Sequence, residues 1–223
     1  TSKNNIEIVK LLLNAGADVN KQNISGHTAL IFAAHSNNFK IVKLLLNANA
    51  DLDKQNDSGD TALIQVVIND KIKIAKLLLN AGADVNKQNN KGNTALSLAI
   101  YYNNVEIVKL LLEYDVDVNK QDRYGNTALI FAAWFDRHEI VKLLLSAGAD
   151  LNKQNNKGET ALIYAVFYDN TEVVKLLLNV GTDINKQDNN GDTALIKAAL
   201  RSNIEIVKLL LNAGVDIDKQ NNK

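Results

Sequence analysis

The fold is decided by residues 127–148, TALIFAAWFDRHEIVKLLLSAG, in which two short apolar segments flank a polar turn. Thr127 is a good helix N-cap, and Gly148 is typical of the left-handed residue that ends a helix. Leu129 and the alanines after it recur at helical spacing, and the segment 140–145 is apolar around most of a helical circumference. The stretch therefore predicts a short helix, a tight turn and a second helix.

The same pattern recurs every 33 residues along the whole chain. The tripeptide Thr-Ala-Leu begins at 28, 61, 94, 127, 160 and 193. The period divides the sequence into a half-repeat (1–22), six full repeats (23–55, 56–88, 89–121, 122–154, 155–187 and 188–220) and a stub (221–223). A helix pair this short cannot bury its apolar faces alone, but stacked copies cover one another. We therefore predict an all-α repeat protein, a solenoid of stacked helix-turn-helix units that forms a single domain over 1–223.

Polar residues at two positions of the repeat predict sharp turns. The turn between the two helices begins with Asn, Asp or Ser, at Asn4, Asn37, Asp70, Asn103, Asp136, Asp169 and Ser202. These residue types suit a sharp turn and the capping of the next helix. After the second helix, Asn49 and Asp115 replace the usual glycine, and both types enter the left-handed region readily. The polar stretch that follows is expected to form one arm of a projecting hairpin.

Composition narrows the classes of function. Lys+Arg and Asp+Glu are both 25, and this neutral balance argues against a general binder of nucleic acid or anionic membranes. There is no Cys, and three scattered His cannot build a zinc site, so we expect neither disulfides nor a bound metal. No apolar run reaches the roughly 18 residues that a bilayer-spanning helix needs. A local basic group is interpreted as a solvated outer face: Lys40, Lys43, Lys71, Lys73 and Lys76.

The carboxylates form repeat columns, which indicates an architectural role. One aspartate follows each second helix and is expected to form local hydrogen bonds: Asp18, Asp51, Asp84, Asp117, Asp150, Asp183 and Asp216. Glutamates three residues before the repeated lysine predict surface ion pairs: Glu7, Glu106, Glu139, Glu172 and Glu205. His138 is expected to be a tolerated, half-buried histidine. No catalytic triad, phosphate-binding loop or metal-ligand cluster is found, so we predict that the protein is not an enzyme and uses no cofactor.

These elements together resemble the ankyrin repeats over essentially the whole chain. The resemblance rests on the 33-residue period, Gly-x-Thr-x-Leu before the first helix, Ala-Ala within it, Ile-Val-Lys-Leu-Leu-Leu in the second and Gly-Ala-Asp-Val-Asn after it. The family pattern Thr-Pro-Leu-His is replaced here by Thr-Ala-Leu-Ile, and by Thr-Ala-Leu-Ser at 94–97. The resemblance implies right-handed stacking, β-hairpin loops projecting to one side, and a concave surface where partners dock. It also implies an intracellular, cytoplasmic location, or the host cytoplasm for a secreted effector.

We expect the functional residues at repeat positions that vary in ways that packing does not require. The two positions after the Ala-Ala pair hold six of the chain's twelve aromatics, in three consecutive repeats: Tyr101, Tyr102, Trp134, Phe135, Phe167 and Tyr168. Trp, Tyr and Arg are the types most enriched at binding hot spots. We predict a partner-binding surface here, with Arg123 and Tyr124 at its rim and Arg201 in the same column. Phe131 and Tyr164 are expected to pack within their helices.

The sequence predicts a monomeric, non-catalytic scaffold that binds a protein or peptide partner, without nucleic acid and without insertion into a membrane. One alternative is a structural spacer or array segment of a longer protein, whose rings stiffen the stack. The missing first helix before residue 1 and a final repeat no more polar than the others favour this alternative. A designed binder is the other alternative. Exposed, uncrowded rings favour a binder, and rings buried between repeats favour a spacer.

Overall fold

A computed structural model describes residues 2–222, with the side chains of 5–222. Within this range the chain forms thirteen α-helices and no strand. The helices are α1 (Ser2–Asn14), α2 (Ala29–His35), α3 (Phe39–Asn47), α4 (Ala62–Ile68), α5 (Ile72–Asn80), α6 (Ala95–Tyr101), α7 (Val105–Leu112), α8 (Ala128–Trp134), α9 (His138–Ser146), α10 (Ala161–Phe167), α11 (Thr171–Asn179), α12 (Ala194–Leu200) and α13 (Ile204–Asn212). None of these helices is long and apolar enough to cross a membrane.

The chain divides into two compact units, Thr1–Val116 and Asp117–Lys223, which are described separately. In the first unit, the short helices α2, α4 and α6 pack in succession, as do the outer helices α1, α3, α5 and α7. In the second unit, α8, α10 and α12 pack in succession, and α9, α11 and α13 do the same. The predicted all-α repeat class is confirmed, and the single domain over 1–223 stays a prediction.

Each short helix begins at its column threonine. In α8 the Thr127 hydroxyl accepts the backbone N–H of Ile130 at 3.3 Å, which satisfies one of the free N–H groups of the first turn. The same threonine cap begins α2, α4, α6, α10 and α12. Leu129 is only 1% exposed, and Ala133 is fully buried where neighbouring helices approach. The predicted cap and core face are therefore confirmed.

The turn between the two helices has the predicted left-handed residue. Asp136 has a φ of 55°, and the equivalent Asn, Asp and Ser residues from Asn37 to Ser202 have φ between 54° and 59°. The expected capping role is wrong, because the N-cap is the next residue: Asn38 and Asn203, for example, accept the N–H three residues on. Asn4 is different again, since it lies inside α1.

The two replacements of the C-terminal glycine behave differently. Asn49 has a φ of 56°, as predicted, but Asp115 does not have a positive φ. Helix α7 ends one residue earlier than its neighbours, and Tyr114 stands where most repeats have alanine. The Tyr114 hydroxyl donates to Asn80 Oδ1 at 2.6 Å, and the Val116 N–H donates to the Tyr114 carbonyl at 2.7 Å. This different helix end removes the need for a left-handed residue at 115.

The loops between repeats are hairpin turns, and neighbouring turns within a unit are in close contact. In the fourth repeat the Asp122 N–H donates to the Asn126 carbonyl at 3.0 Å. The next turn approaches so closely that the Asn156 N–H donates to the Tyr124 carbonyl at 2.9 Å. Gly125 has a φ of 78°, and a Cβ there would lie 2.5 Å from Asn156 Oδ1. Glycine is therefore required both by the backbone angle and by the neighbouring turn.

Within each unit, side chains of the loops form hydrogen bonds inside a repeat and to the next repeat. Every column aspartate accepts the N–H of the residue two positions on, as predicted. Column asparagines add contacts between repeats, since Asn119 Oδ1 accepts the Asp150 N–H at 2.8 Å. The Gln121 amide donates to the carbonyls of Gly125 and Gln154, at 2.6 and 3.0 Å. This polar lattice holds the loops without any strand in the described residues.

Candidate functional site

The predicted site residues lie where the short helices end. Trp134 is the last residue of α8 and Phe135 is its C-cap, while Phe167 and Tyr168 hold the same places in α10. Asn170 fixes the end of α8, because its side-chain amide donates to the Ala133 and Trp134 carbonyls at 2.7 and 3.2 Å. The next repeat thus positions the backbone that carries the indole.

Six rings of the second unit form one continuous group, here called the aromatic cluster: Phe131, Trp134, Phe135, Tyr164, Phe167 and Tyr168. Trp134 is its centre, stacked on Phe135 with ring centroids 5.1 Å apart and planes 6° apart. It also contacts Tyr164 and Tyr168 of the next repeat, at 5.4 and 5.8 Å. Phe167 meets Tyr168 edge-on at 5.1 Å.

The cluster is partly open to solvent. Phe167 and Tyr168 are 41% and 42% exposed, whereas Trp134 and Phe135 are half-buried. The rings therefore match neither of the two extremes expected from the sequence, since they are crowded by one another and still present a surface. Rings with such partial exposure can join repeats and also offer an apolar surface to a partner.

Phe131 and Tyr164 belong to the cluster, which the sequence interpretation missed. Both do pack, but they pack as part of the site, half-buried beneath the rings three or four residues later on the same helix. Phe131 stacks on Phe135 at 6.3 Å, and Tyr164 stacks on Tyr168 at 6.0 Å. The sequence spacing could have shown this, because residues at i, i+3 and i+4 lie on one face of a helix.

The Tyr164 hydroxyl joins the cluster to the adjacent hairpin turn. The Asn155 side-chain amide donates to this hydroxyl at 3.3 Å, and Asn155 in turn is bonded to Asn126 of the preceding repeat at 2.9 Å. Burial raises the pKa of Tyr164 well above its ordinary value, and the charge of Glu159 and a hydrogen bond with its carboxylate raise it further. Tyr164 therefore remains a neutral hydrogen-bonding group.

All three arginines of the chain lie over aromatic rings of the second unit. The Arg201 guanidinium lies 5.2 Å from the Phe167 ring centroid, and Arg137 lies 6.0 Å from that of Phe135. At the hairpin tip, Arg123 lies 4.7 Å from the Tyr124 ring and donates to its hydroxyl at 2.7 Å. The sequence interpretation included Arg123 and Arg201 but not Arg137.

The two remaining predicted residues lie in the first unit. Tyr101 ends α6 and Tyr102 is its C-cap, and their rings meet edge-on at 5.1 Å. They are 52% and 51% exposed, so both offer more surface than the rings of the aromatic cluster. They form an edge-to-face pair at the equivalent helix end.

The other polar candidates occupy surface positions. Lys40, Lys43, Lys73 and Lys76 are exposed and Lys71 is half-buried. His138 is exposed rather than half-buried as expected. The predicted ion pair between Glu172 and Lys175 is present at 2.8 Å. In residues 2–222 no group of three or more His, Cys, Asp or Glu side chains is placed to hold a metal ion.

Comparisons with known proteins agree with the repeat architecture. A family model described as ankyrin repeats (3 copies) matches residues 1–89, 81–155 and 147–221. The chain is similar to the crystal structure of the ankyrin repeat domain of Bcl-3, a member of the IkappaB protein family, at 27% identity and a TM-score of 0.85 over 94% of this chain and 95% of that one. It is also similar to an ankyrin repeat domain from Acinetobacter baumannii AYE, at 34% identity and a TM-score of 0.80 over 84% and 98%. The comparison with curated proteins gave no match.

Proposed function

Because the chain belongs to the ankyrin repeat family, whose members generally serve as protein-protein interaction modules, we propose that it is a non-catalytic scaffold binding a protein or peptide at the aromatic cluster. The observation that carries the proposal is the contact of six rings on repeat positions that packing leaves variable. Large, rigid aromatic side chains supply contact area with little loss of side-chain entropy, and they are common binding hot spots.

The proposed surface includes the polar residues that border the cluster. Arg123 and Tyr124 lie at the hairpin tip that begins the second unit's first full repeat, and Tyr124 is 55% exposed. Arg201 lies over Phe167 at the other side. Tyr101 and Tyr102 of the first unit are the second part of the proposal.

The spacer alternative has one observation in its favour. Trp134 contacts the rings of Tyr164 and Tyr168 across the boundary between the fourth and fifth repeats, so the rings also hold repeats together. A spacer needs this contact alone, whereas a binding surface also needs the exposure of Phe167 and Tyr168. The two roles predict opposite outcomes when the central rings are removed.

The test begins with a displayed library of random short peptides, selected on the immobilised chain. Dissociation constants of the selected peptides are then measured for the wild type and for the double variant Trp134→Ala with Phe135→Ala. Hot-spot truncations cost roughly 2–4 kcal/mol each, so the affinity should fall at least about a hundredfold, mainly through faster dissociation. Circular dichroism should still show a helical protein with a modestly lower melting temperature.

The matched control is Lys40→Ala with Lys73→Ala, on exposed outer-helix positions of the first unit. This control should leave the affinity within a few-fold. A selection that enriches no peptide, or peptides that bind the aromatic double variant as tightly as the wild type, would contradict the proposed function. A large loss of stability without any loss of binding would favour the spacer.

A further inference from the structure

Arg137 occupies a position at which three of the other repeats have a side-chain helix cap. At the equivalent N-cap positions, Asn38, Asn104 and Asn203 each accept a backbone N–H of the first helical turn. Arg137 is the N-cap of α9 and makes no such bond. Asparagine is among the best N-cap residues, and arginine has no acceptor atom to offer. Local helix stability therefore gives no reason for an arginine at this position.

The Arg137 side chain also has one nitrogen atom without a hydrogen-bond partner in the described residues. Its Nε atom is buried and has no hydrogen-bond partner in the described part of the chain. The guanidinium lies 6.0 Å from the centroid of Phe135, at the edge of the aromatic cluster. Asp136, its neighbour in the sequence, is exposed and forms no ion pair with it within residues 5–222. A buried N–H without an acceptor is unfavourable. Arg137 as a whole is only half-buried, so a ligand can approach the terminal groups of its guanidinium although the Nε itself is buried.

The use of arginine rather than lysine beside these rings also indicates an anionic ligand. The chain has 22 Lys and 3 Arg, and every one of those arginines lies over a ring of the second unit. A guanidinium can stack on an aromatic face and still donate in its own plane to both oxygens of a carboxylate, which an ammonium group cannot do. Rings with guanidinium groups over them therefore favour a planar anionic ligand group.

The charges of the site argue against a cationic ligand. The ring faces of Phe135 and Phe167 are already in contact with the protein's own cations, Arg137 and Arg201. Asp169 Oδ2 is engaged by Arg201 at 3.2 Å, so this acidic group is neutralised within the protein. Arg137 is a cation beside the cluster that forms no ion pair with a carboxylate of residues 5–222.

We propose that the aromatic cluster binds an acidic peptide segment, in which an Asp or Glu stands close to an aromatic or long aliphatic side chain. The carboxylate binds the Arg137 guanidinium, and the apolar side chain contacts the rings around Trp134 and Tyr168. This inference rests on the proposed function, and it adds the chemistry of the partner. Charge-assisted contacts of this kind contribute strongly to specificity and are weakened by salt.

The experiment uses the peptides selected from the displayed library. We expect them to be enriched in Asp or Glu within a few residues of an aromatic or long aliphatic residue. For one such peptide, the dissociation constant is measured before and after each Asp or Glu is replaced by Asn or Gln. It is also measured against Arg137→Asn and Arg137→Lys. Removing the carboxylate or the guanidinium should each weaken binding by about tenfold or more, and the two changes together should cost little more than either alone.

The Arg137→Asn variant is expected to fold, because asparagine occupies the equivalent N-cap position in other repeats of the chain. Its melting temperature should equal or exceed that of the wild type, while its affinity falls. A purely structural role of Arg137 would lower the melting temperature instead. Arg137→Lys, which matches Lys71 at the same position of the second repeat, should bind more weakly than the wild type because it cannot make the paired in-plane contact.

Three outcomes would overturn the inference while leaving the proposed function standing. One is a selected peptide that needs Trp134 and Phe135 but loses less than about twofold affinity with Arg137→Asn or with the amide replacements. Another is enrichment of basic peptides. The third is binding of a labelled single-stranded oligonucleotide that depends on the same rings. If no peptide depends on the aromatic cluster at all, the proposed function itself fails and the inference fails with it.

Discussion

The indole of Trp134 stacks against the ring of Tyr168, one repeat later, with centroids 5.8 Å apart and planes 27° apart. This contact joins two repeats at a place where one of its partners is still 42% exposed. The stability of the repeats and the proposed recognition of a partner therefore involve the same pair of rings. Mutational tests of the surface must measure both quantities, because a loss of binding alone does not distinguish a missing contact from a loosened repeat.

The first prediction concerns the core of the fourth repeat. Leu129 is 1% exposed, so Leu129→Ala should lower the free energy of unfolding by about 2–5 kcal/mol through lost transfer energy and the cavity left behind. Since repeats are coupled to their nearest neighbours, the denaturation curve should broaden or split. An unchanged midpoint and slope in a urea titration followed by circular dichroism would contradict this assignment.

A second prediction compares two glycines with nearly equal backbone angles. Gly125 and Gly148 have φ of 78° and 82°, so alanine at either position carries the left-handed penalty of roughly 1–2 kcal/mol. A Cβ at 125 would also lie 2.7 Å from the backbone N of Asn156, whereas a Cβ at 148 would meet nothing within 4 Å. Gly125→Ala should therefore destabilise the protein clearly more than Gly148→Ala. Equal melting temperatures for the two variants would refute the close approach of the turns.

The third prediction concerns a buried ion network in the last full repeat. Lys197 Nζ lies 2.8 Å from Asp188 Oδ2 and 2.9 Å from Asp192 Oδ2, with only 13% of the lysine side chain exposed. Lys197→Met leaves two buried carboxylates without their cation, and this should cost about 3 kcal/mol or more.

Lys197→Gln is the matched variant, because Gln65 at the equivalent position donates to Asp60 Oδ2 at 2.9 Å. Glutamine keeps a donor at this place and should cost less than methionine. If methionine proved as stable as the wild type in chemical denaturation, the network would not contribute to the fold.

The fourth prediction is a loss of stability at alkaline pH. Burial and Glu159 raise the pKa of Tyr164 above its ordinary value. Burial by itself lowers the pKa of Lys197, but the hydrogen bonds and charges of Asp188 and Asp192 outweigh burial and raise it. Both groups hold their protons more tightly when folded, so their contribution is complete below the unfolded pKa values, at about 10, and declines as the pH rises further.

Urea denaturation followed by circular dichroism on either side of this pH checks the prediction. Tyr164→Phe should be less stable than the wild type near neutral pH, because it loses the bonds to Asn155 and Glu159. The difference should shrink as the pH rises past about 10. A difference that stays constant would mean that the Tyr164 hydroxyl titrates normally in the folded protein.

The helices could be predicted from the sequence because the 33-residue period repeats every local signal in register. Thr127 at the helix start and Asp136 in the turn have the predicted conformations, because cap and turn preferences are properties of single residues and their neighbours. Asp115 does not have the predicted left-handed conformation, because Tyr114 and Asn80 form a contact between repeats that ends α7 early. Local preference cannot anticipate such a tertiary contact.

The candidate site could be located from the sequence but not completed. Variable aromatic columns identified Trp134 and Phe135, whereas Phe131 was assigned to packing because a single helix position does not show which neighbour it meets. Arg137 was missed for a related reason. Its proposed role rests on a ring contact and on a buried Nε without a partner in the described residues, which only the arrangement in space reveals.

The fluorescence of Trp134, the only tryptophan in the chain, can show whether the aromatic cluster is a binding surface. A selected peptide without tryptophan is titrated into the wild-type protein, and the anisotropy of a label on the peptide is followed in parallel. If the peptide binds at the cluster, Trp134 emission shifts to shorter wavelength as the half-buried indole loses water, with the same dissociation constant as the anisotropy. Binding seen by anisotropy while Trp134 emission stays unchanged would contradict binding at the cluster.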